Sequence, residues 1–410
     1  MSDAVATALR EGVETPAYVY DLAEVRANQA RLRAALPERC GHYYSLKANP
    51  HPHLLAALRE GGARAEVCSP GELDAALAAG WPAHTLLYNG PGKRDADLVR
   101  ALRLGVREFS VDSPHALDRL DAAARAESVR ARCLLRINDD QPEPGQGLTM
   151  TGVTSQFGAD VAWVLAEPTR FGDREHVEVV GLHLYMGTNL AGVDDLLAQF
   201  GRSLATAAKL RAEGFRADVL DLGGGFGAPF GRAGGAVDLT GLREGLHDLL
   251  DEHAPGWRGG GPEVVFESGR YLVGTAGSLV TAVLDVKRSH GRDVVVLESG
   301  INHLGGMSGL RRLPPLNPTL VHPAADAPVT PTVVTGPLCT PLDTWSRAAP
   351  LPPLRPGDLL AVPNVGAYGL SASLLAFLGH PCPAEAVVEG DRVVHTSRLA
   401  LTRVPTRVPN

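Results

Sequence analysis

Cysteine is scarce in this 410-residue chain, and its few copies show no sign of a joint purpose. The five, Cys40, Cys68, Cys133, Cys339 and Cys382, are odd in number and make no CxxC pair. That argues against a disulfide framework and a thiolate zinc site, so no metal is expected. No leader segment is read at the start, and the cysteine usage fits a reducing cytoplasm. Long apolar runs are missing too: none reaches the ~18 residues that a membrane span requires. A basic excess is also absent. The formal charge of −7 gives no phosphate-binding surface, so neither nucleic acid nor an anionic membrane is expected as a partner.

What is present is an ordinary globular composition, 44% hydrophobic and 21% charged, in a chain long enough for two domains or for one large barrel with an appendage. From about residue 40 to 270, short β-branched or aromatic runs alternate with Ala/Leu/Arg stretches of helical period. The strand candidates are HYYSLK (42–47), ARAEV (63–67), TLLYN (85–89), REFSV (107–111), CLLRIN (133–138), VEVVGLHLY (177–185), ADVLDLGGG (217–225) and EVVFESG (263–269). This alternation predicts an α/β fold, a parallel (β/α)8 barrel over 31–272 whose chemistry sits at the C-terminal strand ends. Beyond residue 273 the helical spacers stop. The runs SLVTAVLDVKRS, DVVVLES, TPTVVTGPLC, GDLLAVPNVGAY and AEAVVEGDRVVHTSR predict an antiparallel β domain over 273–410, which residues 1–30 are expected to join. The Pro-rich stretch 310–331 reads as irregular loop.

Several residues at predicted strand ends carry chemistry. Lys47 closes an apolar strand just before a helix-breaking Asn-Pro, so it is either a stem snorkelling to solvent or a working amine. DLGGGFG (221–227) offers Gly223, Gly224 and Gly225, whose bare amides can approach a phosphate at the end of the seventh strand. A turn with no ligand is the other reading of such a cluster. In FESGRYLVG, Glu267 follows an apolar run and should face the barrel mouth, where it could hold a protonated ring nitrogen. Arg270 could then reach a phosphate, although a Glu/Arg pair of this spacing is more usually a surface ion pair. His183 and Tyr185 alternate with apolar residues on one strand face, as core or as a ring that stacks on a planar cofactor. Cys339 is either a small buried hydrophobe or a reactive thiol.

In this order, the motifs resemble the fold-type III pyridoxal-phosphate decarboxylases, the family of ornithine and diaminopimelate decarboxylases, over nearly the whole chain. The resemblance implies an alanine racemase/ornithine decarboxylase-like fold and a homodimer with shared active sites. YSLKANP is similar to the segment that anchors the cofactor, which implies Lys47 as the anchor. Gly223, Gly224, Gly225, Arg270 and Tyr368 of GAYG are implied as the phosphate cup, Thr188 as a further cofactor-binding residue, and Glu267 as the partner of the pyridine nitrogen. That carboxylate is what separates a decarboxylase from the racemase branch, where an arginine stands opposite the nitrogen. Cys339 matches the cysteine contributed by the partner subunit.

Departures from the family pattern are informative too. Where a histidine usually stacks on the pyridine ring this chain has Tyr185, with His183 two residues earlier. The carboxylate that follows the cysteine and grips the distal amine of a diamino acid is replaced by Thr340. The arginine and tyrosine of diaminopimelate decarboxylases are missing from SGINHLGGMSGLRR (299–312). A distal ammonium would therefore lack its partner. The variant motifs GPLCTPLD, GAYG and MTGVTSQFG are closer to a subgroup from secondary-metabolite, siderophore and polysaccharide gene clusters. The expected substrate is a larger, modified amino acid, carrier-protein-tethered or citrate-linked, with Arg136, Thr340 and Asp343 assigned to binding it. Asp343 has a second reading, as a residue that orients the cysteine loop or caps a turn. The alternatives are a diaminopimelate decarboxylase, a racemase of the same fold, or a non-catalytic regulator.

Overall fold

The computed structural model describes residues 1–139, 151–305, 316–323 and 328–405. Met150 of MTGVTSQFG, residues 306–312 of SGINHLGGMSGLRR, and 310–315 and 324–327 of the Pro-rich stretch lie outside the described residues. The chain divides into two compact units. One comprises Val25–Ala228 and Ala236–Val273; the other comprises Met1–Glu24, Pro229–Gly235 and Gly274–Asn410. Strands are numbered along the chain, and β1 (Ala17–Asp21) belongs to the second unit.

The first unit is a closed parallel barrel. Its eight staves are β2 (Gly41–Ser45), β3 (Arg64–Val67), β4 (Leu87–Tyr88), β5 (Glu108–Val111), β6 (Ala131–Asn138), β8 (Val177–Leu184), β9 (Val219–Asp221) and β10 (Glu263–Ser268). A two-residue β7 (Ala159–Asp160) pairs with β6, and the β5–β6 and β2–β10 pairings close the ring. Each of the eight predicted strands is therefore present. Ser-Pro steps punctuate two of the strand-to-helix turns: Ser69 and Ser113 accept the amides of Glu72 and Ala116, and Pro70 and Pro114 open the helices behind them. A cap of this kind contributes about 1 kcal/mol.

Inside the barrel, Tyr43, Leu87, Leu134, Val180, Val219 and Val265 pack into one apolar cluster. Side chains on a strand return to the same face every second residue. Two residues beyond Val219 stands Asp221, and two beyond Val265 stands Glu267, so both carboxylates rise from the core toward the C-terminal mouth.

The second unit is an eight-stranded sheet. Its strands β11 (Gly277–Ser289), β12 (Arg292–Leu297), β13 (Thr330–Thr335), β14 (Thr344–Leu351), β15 (Leu359–Val362), β16 (Ala384–Glu389) and β17 (Arg392–Arg398) run in the order β14-β13-β12-β11-β1-β16-β17, and β15 pairs with β11. The helix Asp3–Arg10 covers it, placing Ala4, Val5 and Ala8 on Val19, Val280, Ala361 and Val388.

The sheet differs from the antiparallel expectation by being mixed: β1 runs parallel to β16, and β12 parallel to β13. β1 and β16 stand at opposite ends of the chain, so no local crossover helix betrays their direction in the sequence. AEAVVEGDRVVHTSR is not one strand but the β16–β17 hairpin, turned at Gly390 with φ +64°. No helix among the described residues is long and apolar enough to cross a membrane.

Candidate active site

Lys47 sits in the turn Leu46–Ala48 directly after β2. The turn is fixed behind it: the Asn49 carbonyl accepts the Tyr44 hydroxyl at 2.8 Å, and Asn49 Oδ1 accepts the His51 amide at 3.0 Å. The side chain remains 40% exposed, and its Nζ lies 3.7 Å from Glu66 Oε1. Glu66, on β3, is fully buried, and the same oxygen accepts Cys68 Sγ at 3.1 Å and Asn89 Nδ2 at 3.0 Å. Burial alone would raise the pKa of this carboxyl. The Lys47 ammonium and hydrogen bonds from Ser45, Cys68 and Asn89 outweigh burial and hold it below its ordinary value.

Across the mouth, β8, β9 and β10 bring His183, Asp221 and Glu267 together, all buried. His183 faces Asp221 in the β8–β9 register, its Nδ1 is 2.9 Å from Ser110 Oγ, and its Nε2 is 3.6 Å from Glu267 Oε1. Burial, with the charges of Arg136, Lys47 and Lys93, keeps this imidazole neutral. Asp221 Oδ1 accepts the Gly223 amide at 2.9 Å. Glu267 is pushed well above the usual carboxyl range by burial and then by the charges of Glu66 and Asp221, with Lys47 and Arg136 opposing.

The glycine run forms a tight cradle beside this cluster. Gly223 has φ +65°, and a Cβ there would come within 2.5 Å of the Tyr185 ring. A Cβ on Gly224 would come within 2.4 Å of the Glu267 carbonyl oxygen. The loop is sewn in place: Gly223 O accepts the Glu267 amide at 2.7 Å, and Gly224 O accepts Gln199 Nε2 at 2.7 Å. Tyr185 is half-buried against this loop while His183 is enclosed beneath, so Tyr185 presents the accessible ring. Thr188 is half-buried in the same post-β8 segment, and Arg270, half-buried, opens the short helix Arg270–Val273. The Arg136 guanidinium, buried on β6, lies 4.7 Å from the Phe157 ring centre and 5.9 Å from that of Tyr185.

The remaining predicted residues belong to the second unit. Cys339 is an exposed free thiol, in a turn where the Leu342 amide donates to Thr340 Oγ1 at 3.3 Å. Asp343 is buried, and its two oxygens accept the amides of Ile301 and Leu338, each at 2.8 Å. A Cβ on Gly300 or Gly336 would collide with that carboxylate, so Asp343 clasps two loops. Tyr368 is held at φ +56°, a costly left-handed conformation for a non-glycine residue.

Glu66 and Asp221 escaped the reading of the sequence. Asp221 carries the signal that marked Glu267, a carboxylate closing an apolar strand, whereas Glu66 sits inside Arg64–Val67 with no apolar run before it.

The cluster suits a planar, protonatable ring bearing a phosphate. Glu267 Oε1 and His183 Nε2 have no hydrogen-bond partner among the described residues, and the neighbouring cradle has no space for a Cβ at Gly223 or Gly224. Known proteins agree. The family model "Pyridoxal-dependent decarboxylase, pyridoxal binding domain" matches residues 22–274. The chain is 32% identical to the L-glutamyl-[BtrI acyl-carrier protein] decarboxylase of Niallia circulans, covering 94% of this chain and 91% of that one. It is 30% identical to the 2-[(L-alanin-3-ylcarbamoyl)methyl]-2-hydroxybutanedioate decarboxylase of Staphylococcus aureus, over 89% of this chain and 92% of that one. Among solved structures, diaminopimelate decarboxylase from Helicobacter pylori complexed with L-lysine superimposes with a TM-score of 0.81 at 26% identity, covering 93% of each chain.

Proposed function

This chain belongs to the pyridoxal-dependent decarboxylases of the ornithine/diaminopimelate type, and from that premise we propose that it removes the α-carboxyl group of a modified amino acid in a secondary-metabolite or siderophore pathway. It is a carboxy-lyase, and pyridoxal phosphate is its cofactor. Pyridoxal phosphate, when bound, supplies the electron sink for the pair left behind as the bond from Cα to the carboxylate breaks.

The residues divide that work. Lys47, the exposed amine at the mouth, would hold the cofactor through its Nζ and supply the amine that the substrate's own amine replaces. Glu267 accepts the proton-bearing ring nitrogen, and Tyr185 offers its face to the ring. The amides of Gly223, Gly224 and Gly225, with Thr188, Arg270 and Tyr368, take the phosphate. Arg136 and Thr340 bind the substrate, and Asp343 holds the turn that carries Cys339. In a homodimer with shared sites, Cys339 of the partner subunit returns a proton to Cα.

The observation that favours a modified substrate is Thr340 directly after Cys339, where a grip on a distal ammonium calls for a carboxylate. The names of the Niallia and Staphylococcus relatives, one acting on a carrier-bound glutamyl group and one on a hydroxybutanedioate, support it. A second reading, diaminopimelate decarboxylase, is favoured by relatives of that name at similar identity, among them the Aquifex aeolicus enzyme at 30%. Release of CO2 separates the two. The holoenzyme should decarboxylate a carrier-tethered glutamyl group or a citrate-linked amino acid and leave diaminopimelate untouched. Turnover of diaminopimelate would overturn the proposal. Exchange of the α-proton without CO2 release would instead indicate racemase chemistry.

A further inference from the structure

The buried triad at the ends of β8, β9 and β10 holds more polar atoms than its hydrogen bonds account for. Asp221 Oδ2, Glu267 Oε1 and His183 Nε2 all lack a hydrogen-bond partner among the described residues. The ligating atoms of these three residues lie within 4.8 Å of one another. Two ionised carboxylates cannot share such a space cheaply, because neither can donate to the other and water does not reach them.

The charges that act on the pair leave a place for one proton. Glu66 faces it from β3, Lys47 from the turn after β2, and Arg136 from β6. His183, from β8, is neutral, and Lys93 acts on that imidazole from beyond β4. With Asp221 and Glu267 themselves this makes three carboxylates against the cations Lys47 and Arg136. One proton on the Asp221/Glu267 pair brings the cluster to neutrality and supplies the missing donor.

We propose that Asp221 is a positioning residue: a proton held between Asp221 and Glu267 bonds the two carboxyls and aims Glu267, leaving its other oxygen for the cofactor's ring nitrogen. Asp221 suits the role by its second anchor, since Oδ1 is tied to the Gly223 amide at 2.9 Å, which links the aim of Glu267 to the phosphate-side loop. The direction of its acidity agrees. Burial raises the Asp221 carboxyl to about 7, with the Gly223 amide opposing and Glu66 adding to the rise.

The inference rests on the cofactor assignment above, and the test keeps the two apart. Asp221→Asn retains an acceptor for Gly223 and an N–H donor for Glu267 at every pH, whereas Asp221→Val retains neither. The infrared difference between wild-type and D221N apoprotein at pH 7 should show the carbonyl stretch of a protonated buried carboxyl, present only in the wild type. D221N should bind pyridoxal phosphate within about threefold of wild type, and D221V roughly tenfold or more weakly, the loss expected for a hydrogen bond to a charged group. Absence of the acid band, or D221N binding as weakly as D221V, would overturn the role of Asp221. Failure of the wild type itself to bind the cofactor would overturn the site assignment instead. If D221V does not fold, the infrared comparison and D221N affinity still decide.

Discussion

The barrel mouth and the Cys339–Asp343 turn of the second unit both carry a buried carboxylate, and they treat it in opposite ways. Asp343 has both oxygens accepting backbone amides at 2.8 Å. Glu267 keeps an oxygen without a partner among the described residues, beside a histidine nitrogen in the same condition. A fold meets the cost of a buried polar group by giving it hydrogen bonds, so the satisfied carboxylate marks architecture and the unsatisfied one marks a place awaiting a ligand. Exposure sorts the nucleophilic groups similarly: Lys47 and Cys339 are open to solvent, while Cys40, Cys133 and Cys382 are packed away.

Substitutions can break this contrast, starting where the effect is greatest. Lys47→Ala should lower CO2 release by roughly 10^4-fold and leave a colourless protein to which borohydride fixes no cofactor. A fully active variant would remove the anchor assignment. Glu267→Gln should cost on the order of 10^2 to 10^3 in kcat with the fold intact by circular dichroism, the scale of losing a preorganised electrostatic partner. Cys339→Ala should lose about 10^2-fold in turnover while still binding the cofactor. Mixing it with Lys47→Ala protein should then restore activity, which two unshared sites would not allow.

In the other class, Asp343→Ala should act on stability. Two amides left unpaired cost about 3 kcal/mol, read as a lowered denaturation midpoint. The effect expected last is on pH dependence, because it appears only at acid pH. Burial lowers His303 from 6.5 to about 4, with the Pro381 carbonyl opposing. The unfolded chain therefore takes up this proton first. His303 contributes its full stability above pH 6.5, and up to about 3 kcal/mol is lost as pH falls toward 4. A His303→Gln protein should lack that component of acid destabilisation in urea titrations at pH 4 and 7.

The barrel was legible because each stave is a short apolar run with a helix behind it, and runs such as EVVFES announce their period without tertiary help. The second sheet was less so. TWSRAAPL (344–351) carries an arginine and a proline, yet it becomes β14 because β13 stands ready to pair with it. The direction of β16 beside β1 depends on a neighbour more than 350 residues away. In the site, Lys47, Glu267 and the glycines were marked by their neighbours in sequence. Glu66 and Asp221 act through partners on other strands, and a single strand does not announce which charges will converge on it.

The contact between Gly224 and the Glu267 carbonyl has a consequence for how this enzyme type can diversify. A Cβ at Gly224 would stand 2.4 Å from that oxygen, and the preceding residue's carbonyl already takes the Glu267 amide at 2.7 Å. The loop and the strand end therefore behave as one casting, with the distance from the proposed phosphate cradle to the proposed ring partner set by backbone alone. No single side-chain change can lengthen or shorten that distance, so exchanging this loop with that of another barrel should fail unless the strand comes with it. New substrates must be accommodated elsewhere around the rim.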